Sequence, residues 1–235
     1  MKKGILFLIP APLGPAPLDE ILPGIVKQVI LNINTFIVEN EKTARRFIKQ
    51  ICPEKNQSEL VIFQLDKHQK SAGIHDFIHP LIQGQDIGLL SEAGLPAVAD
   101  PGNLVVALAH KKNITVKPLV GPSSLMLALM ASGLNGQKFS FEGYLPKESD
   151  ELKRQIRHLE HLSAKNNCTK ICIETPYRNQ KFFQSLLKYL HPNTRLCIAA
   201  DLTLKTEYIK TLPVKEWRKQ KVDLHKRPAV FLWLS

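Results

Sequence analysis

Cysteine is scarce in this sequence, acidic residues are outnumbered, and long apolar runs are missing. The four cysteines are Cys52, Cys168, Cys172 and Cys197. Cys168 and Cys172 are closely spaced, but in a stretch that reads as a strand, and no histidine or further cysteine nearby completes a zinc set. Buried thiols in a reducing cytoplasm are therefore expected instead of a disulfide framework or a metal site. No segment is long enough to span a bilayer. The opening MKKGILFLIPAP has the two lysines of a secretion signal, yet its apolar core, Ile5 to Ile9, is too short and runs into a proline turn, so it reads as a buried first strand. Equally missing are GxGxxG after that strand, GxxxxGKS, HExxH, a GxSxG elbow and carboxylates paired at metal spacing. Those absences remove the Rossmann dinucleotide site, the P-loop and the familiar hydrolases. Neither an internal repeat nor a low-complexity run is found.

What is present is enough for a full core: 235 residues, 44% of them hydrophobic. Lys and Arg number 32 against 21 Asp and Glu, a formal charge of +11. That balance favours a polyanionic partner such as RNA or DNA, and general solubility accounts for it as well. The basic residues gather loosely at Lys42 to Arg46, Lys147 to Arg157 and Lys215 to Arg227. No aromatic-basic signature of an RNA-recognition domain accompanies them.

Periodicity predicts strands at Gly4 to Ile9, Thr35 to Val38, Leu60 to Leu65, Asp86 to Leu90 and Ile114 to Pro118. Helices are predicted between them: Leu18 to Leu31, kinked or split at Pro23, then Glu41 to Ile51, Gly73 to Ile82 and Gly102 to Lys111, with Pro122 to Ala131 following. Such alternation implies an α/β fold with a mostly parallel sheet covered on both faces. The pattern pauses at Gly133 to Lys138, which sets a domain boundary: residues 1–136 and 137–235. Beyond it come a loop Phe139 to Pro146, a helix Glu148 to Leu162, a strand Lys170 to Ile173, a helix Gln180 to Leu190 and a strand Arg195 to Ala199. Thr206 to Thr211, Val214 to Lys219 and Ala229 to Leu234 complete a second α/β domain with a mixed sheet.

The strands end in distinctive turns. They read Pro10-Ala11-Pro12-Leu13-Gly14, Ser91-Glu92-Ala93-Gly94-Leu95-Pro96, Ala99-Asp100-Pro101-Gly102, Gly121-Pro122-Ser123, Phe141-Glu142-Gly143-Tyr144-Leu145-Pro146 and Glu174-Thr175-Pro176-Tyr177-Arg178. Each alone is ordinary punctuation. In this order the chain resembles the tetrapyrrole methylase superfamily, and within it the bacterial small-subunit ribosomal RNA cytidine 2′-O-methyltransferases. Their corresponding turns read Pro-Thr-Pro-Ile-Gly-Asn, Ser-Asp-Ala-Gly-Thr-Pro, Ser-Asp-Pro-Gly, Gly-Pro-Ser, Phe-x-Gly-Phe-Leu-Pro and Glu-Ser-Pro-His-Arg.

The resemblance implies two α/β domains, S-adenosyl-L-methionine folded into the cleft between them, a homodimer and a methyl transfer to ribosomal RNA. It assigns the cofactor to Pro12, Gly14, Ser91, Glu92, Ala93, Gly94, Pro96, Asp100, Gly102, Gly121, Ser123, Ser124 and Gly143. A protonated 2′-hydroxyl is a poor nucleophile, so a base or a cation should assist it. Candidates are Glu39, His68, Glu174 and Arg178, with Glu207 as a further carboxylate. Departures fall on the acceptor side. After Glu39 the family's Asp-Thr-Arg is Asn40-Glu41-Lys42, and His-Asn is His68-Gln69. Ala-Arg-Glu-Leu-Thr-Lys becomes Ala199-Ala200-Asp201-Leu202-Thr203-Leu204, and Gly-Glu before the last strand becomes Arg227-Pro228. The alternatives are a tetrapyrrole or other small metabolite as acceptor, or a noncatalytic relative that binds the cofactor or RNA.

Overall fold

The computed structural model describes residues 2–65 and 73–235. It divides into two compact units, Met1–Ser123 and Ser124–Ser235, each with its own five-stranded sheet. The first unit runs β1 (Ile5–Ile9), α1 (Leu18–Ile21), α2 (Gly24–Asn32), β2 (Thr35–Val38), α3 (Glu41–Ile51), β3 (Val61–Gln64), α4 (Ile74–Phe77), α5 (His79–Ile82), β4 (Ile87–Leu90), α6 (Asn103–Lys111) and β5 (Thr115–Pro118). The strand order is β3-β2-β4-β1-β5, all parallel.

Right-handed crossovers put the helices that follow β1 and β2 on one face and those that follow β3 and β4 on the other. The cores separate accordingly. Phe7, Ile9, Phe36 and Val38 pack with Val26, Ile30, Phe47 and Ile48, whereas Leu6, Ile37 and Leu89 pack with Leu81, Val105 and Ala109. Adjacent strands β1 and β4 thus lead to opposite faces, and their carboxyl ends open the crevice where ligands of open α/β sheets bind. Pro23 splits the first predicted helix into α1 and α2, as its position in the sequence implied. One helix departs from the pattern: Pro80 falls in the first turn of α5, so the expected Gly73 to Ile82 helix breaks in two.

The second unit runs α7 (Ser124–Ser132), β6 (Phe139–Gly143), α8 (Ser149–Asn166), β7 (Thr169–Ile173), α9 (Asn179–Tyr189), β8 (Arg195–Ala200), β9 (Tyr208–Pro213), α10 (Val214–Trp217) and β10 (Ala229–Leu234). Its order is β6-β7-β10-β8-β9, with β6 parallel to β7 and the other pairs antiparallel, a mixed sheet. The expected loop at Phe139 to Pro146 is in fact the edge strand β6 over its first part. Its Phe-Ser-Phe-Glu alternation is a strand signal that the flanking glycine and proline obscured, and its register with β7 shifts between Phe141 and Gly143. The division between units falls ahead of the pause at Gly133 to Lys138, because α7 packs on β8, β9 and β10 and Thr211 Oγ1 donates to the Ser132 carbonyl at 2.7 Å. Trp217, Trp233, Phe183 and Phe231 are fully buried in this core.

Candidate functional site

Parallel strands point one way, so the turns after β1, β2, β4 and β5 emerge on the same edge of the first sheet. Pro12, Gly14, Glu39, Ser91 to Gly102, Gly121 and Ser123 all lie there. His68 lies outside the described residues. Two of these turns are stitched together: Ala11 N–H donates to the Gly94 carbonyl at 2.9 Å, and Gly94 N–H donates to the Ala11 carbonyl at 3.0 Å. Gly94 adopts φ +72°, which a side chain disfavours, and both its polar main-chain groups are used by Ala11. Its role is to shape the edge, not to offer free main-chain donors. Gly121 allows close approach, since a Cβ there would stand 2.2 Å from Cβ of Pro10.

Within Ser91 to Gly102, two alanines, Ala97 at φ +66° and Ala99 at φ +58°, occupy the left-handed region. Such conformations store strain and persist where the surroundings impose them. Here Asp100 does so: its Oδ1 accepts from Gly102 N–H at 2.7 Å and from Ala97 N–H at 3.4 Å. Ser91 Oγ points back into the loop, 3.3 Å from the carbonyls of Ala93 and Gly94. Beside these polar turns stand bare apolar side chains, Val98 at 46% exposure and Val120 at 74%.

The carboxylates Glu39 and Glu92 are joined through main chain and hydroxyl. Glu39 Oε1 accepts from Glu92 N–H at 3.3 Å, and Thr43 Oγ1 donates to Glu92 Oε1 at 2.5 Å. Asn40 caps α3 by accepting from Thr43 N–H at 3.1 Å. Asn and Asp serve that position alike, so the change from the family's Asp at Asn40 preserves the cap. Pro12, Thr43, Arg46, Gln50, Ser91 and Glu92 help line a cavity of about 110 Å³. That is below the roughly 300–1,000 Å³ of whole-ligand pockets, so it takes a fragment. Sequence reading missed Thr43, whose partner Glu92 is distant in the chain, and Arg46, which lines the cavity without a local motif to mark it.

In the second unit Glu174 sits at the end of β7 with its side chain 3% exposed. Its Oε1 accepts from Thr175 N–H at 2.7 Å, and its Oε2 lies 3.0 Å from Nη2 of Arg178. Both oxygens are engaged, while Arg178 remains one-third exposed. Glu207 is likewise occupied, its Oε2 accepting from Thr203 N–H at 2.8 Å. The altered stretch after β8 turns out to be knit to Arg227. Arg227 Nε lies 2.7 Å from Asp201 Oδ2, and its Nη atoms donate to the carbonyls of Thr206 and Asp223. Thr206 Oγ1 donates to the same Asp201 oxygen at 2.9 Å. The Thr203 hydroxyl is buried with no partner among the described residues. Gly143 closes β6 at φ +67°, and Ser124 opens α7.

Among the described residues no helix is long and apolar enough to cross a membrane, and no cluster of His, Cys, Asp and Glu suits a metal ion. No protein-family profile matches the chain. It is 29% identical over 212 residues to ribosomal RNA small subunit methyltransferase I of Vibrio cholerae, covering 90% of this chain and 69% of that one. A protein of the same name from Buchnera aphidicola of Schizaphis graminum is 29% identical over 234 residues, 98% of this chain and 78% of its own. Among solved structures the chain resembles the methyltransferase CobJ, with TM-score 0.63 and 14% identity over 99% of this chain and 94% of that one. It also resembles uroporphyrin-III-C-methyltransferase from Thermus thermophilus, with TM-score 0.57 and 18% identity over 100% and 93%. At those identities the structural likeness concerns the fold. Fold and relatives together define a methyltransferase. Its fold is the one these solved methyltransferases share.

Proposed function

We propose that this methyltransferase uses S-adenosyl-L-methionine to methylate a ribose 2′-hydroxyl of small-subunit ribosomal RNA, working as a cytoplasmic homodimer. The observation that carries this reading is the colinear set of turns, four of which gather at one carboxyl sheet edge, in a chain alike over most of its length to proteins named for that RNA.

The residues fit the cofactor. Val98 and Val120 offer uncovered apolar surface to a flat ring, and Asp100 fixes the strained Ala97 to Ala99 loop by accepting from Ala97 and Gly102 N–H. Pro12 and Gly14 after β1, Ser91 to Gly102 after β4, and Gly121 and Ser123 after β5 would hold it, with Ser124 and Gly143 as further candidates. When bound it supplies a sulfonium methyl, an electrophile that asks chiefly for in-line placement of the attacking oxygen. The chain's own residues provide that placement. Arg178, fixed by Glu174, presents a guanidinium to a phosphate or to the ribose oxygen as charge develops. Glu174 acts as a positioning residue, because neither of its oxygens is open to take a proton. Glu39 and His68 are the candidate bases, Glu39 being the one whose carboxylate is tied into the edge by Glu92.

The test is incubation with methyl-labelled cofactor and small-subunit RNA, followed by nucleoside analysis. Label is expected in a 2′-O-methyl nucleoside and should vanish with Arg178→Ala. Label in a base overturns the 2′-O assignment; label in a porphyrinogen but not in RNA overturns the acceptor.

A further inference from the structure

Three basic clusters stand out in the sequence, and the fold treats them differently. In Lys215 to Arg227, Lys215 donates to Asn193, Arg218 donates twice to the Leu187 carbonyl, and Arg227 pairs with Asp201. In α3, Arg45 pairs with Glu41 and donates to the Gln57 carbonyl, and Lys49 donates to the Pro53 carbonyl. Much of the charge in both clusters is thus committed to holding the fold.

Helix α8 is different. Lys153, Arg157, His161 and Lys165 recur every fourth residue, with Arg154 and His158 in the adjoining row, and all are exposed. Past the first turn the helix holds one carboxylate, Glu160, and that one is buried, accepting from His191 N–H at 2.7 Å and Thr194 Oγ1 at 2.6 Å. Leu152, Ile156 and Leu159 fill the opposite, core-facing side. A merely solvated helix face mixes signs and gains from opposite charges four apart; like charges at that spacing repel and destabilise the helix. The row therefore carries a penalty in isolation that a polyanion removes. At 1.5 Å per residue it extends about 18 Å from Lys153 to Lys165, long enough to follow several phosphates of a strand.

We infer that the exposed face of α8 is the surface on which the RNA backbone docks, through Lys153, Arg154, Arg157 and Lys165. This rests on the reading of RNA as the methyl acceptor. Phosphate contacts of this kind position a substrate without reading its sequence, and they release counterions, so binding through them weakens with salt.

The experiment compares the full chain with two variants that lose equal charge. One carries Lys153→Gln, Arg154→Gln, Arg157→Gln and Lys165→Gln; the other carries Lys111→Gln, Lys112→Gln, Lys219→Gln and Lys221→Gln. All these side chains are exposed, and circular dichroism with cofactor titration checks that each variant folds. Binding of a small-subunit RNA fragment is measured against salt, with methylation at saturating RNA. The α8 variant should lose affinity and flatten the slope of log K against log salt by about three, at 0.7–0.9 per lost contact, with kcat retained. The control should keep the parent's slope. If the two variants behave alike while the parent methylates RNA, the docking surface is wrong and the RNA reading stands. If the parent neither binds nor methylates RNA, both fall.

Discussion

At the scale of single residues, Gly94 and the Glu174–Arg178 pair make the sharpest claims. A valine at Gly94 would be forced to φ +72° with its Cβ 3.3 Å from Leu13 Cδ2. Strain of about 1–3 kcal/mol is expected, seen as a lowered thermal midpoint. Calorimetric titration of Gly94→Val with S-adenosyl-L-methionine should give no binding heat, whereas Gly94→Ala keeps weakened binding. Normal binding by the valine variant would move the cofactor elsewhere. On the proposed positioning role of Glu174, Glu174→Gln should slow methylation about 10²-fold by misplacing the Arg178 guanidinium. Combined with Arg178→Ala it should add little, the mark of residues acting as a unit. Additive losses would give Glu174 a separate role.

At the scale of elements, the turn after β8 depends on one ion pair. Asp201 and Thr203 hold φ of +51° and +70°, and Asp201 shares its Oδ2 between Arg227 and Thr206. Arg227→Met should destabilise the chain by about 1–3 kcal/mol in urea unfolding, since a mostly buried carboxylate loses its charged donor. This pair also marks what the sequence could and could not disclose. Strands β2 and β10 and helix α3 were readable from uninterrupted periodicity. So were the turns at the carboxyl edge of the first sheet, because glycine and proline announce themselves locally. Strand β6 was hidden by its short length and bounding Gly143, and the single predicted helix before β4 ignored Pro80. The Asp201–Arg227 and Thr43–Glu92 contacts join residues far apart in the chain, and no local rule encodes such partners. In the sequence Asp201 and Arg227 read as two separate losses; folded, they complete each other.

At the scale of the whole molecule, the four thiols are all free and buried. Burial pushes the thiol of Cys197 from the ordinary 9.0 to about 11 and raises those of Cys172 and Cys52 as well. The unfolded chain releases the Cys197 proton near pH 9, while the folded chain keeps it to about 11. Folded chains therefore bind more protons across that window, and stability falls as pH rises from 9 to about 11. Thermal midpoints measured over that range should decline, less steeply in Cys197→Ala. A decline that is unchanged in the variant would assign the effect to other groups. The same burial should keep the thiols from an alkylating reagent under native conditions. Since Cys52 belongs to the first unit and Cys168, Cys172 and Cys197 to the second, each cysteine is a clock set in a known place. The order in which they take up the label reads which sheet opens first, without an added probe.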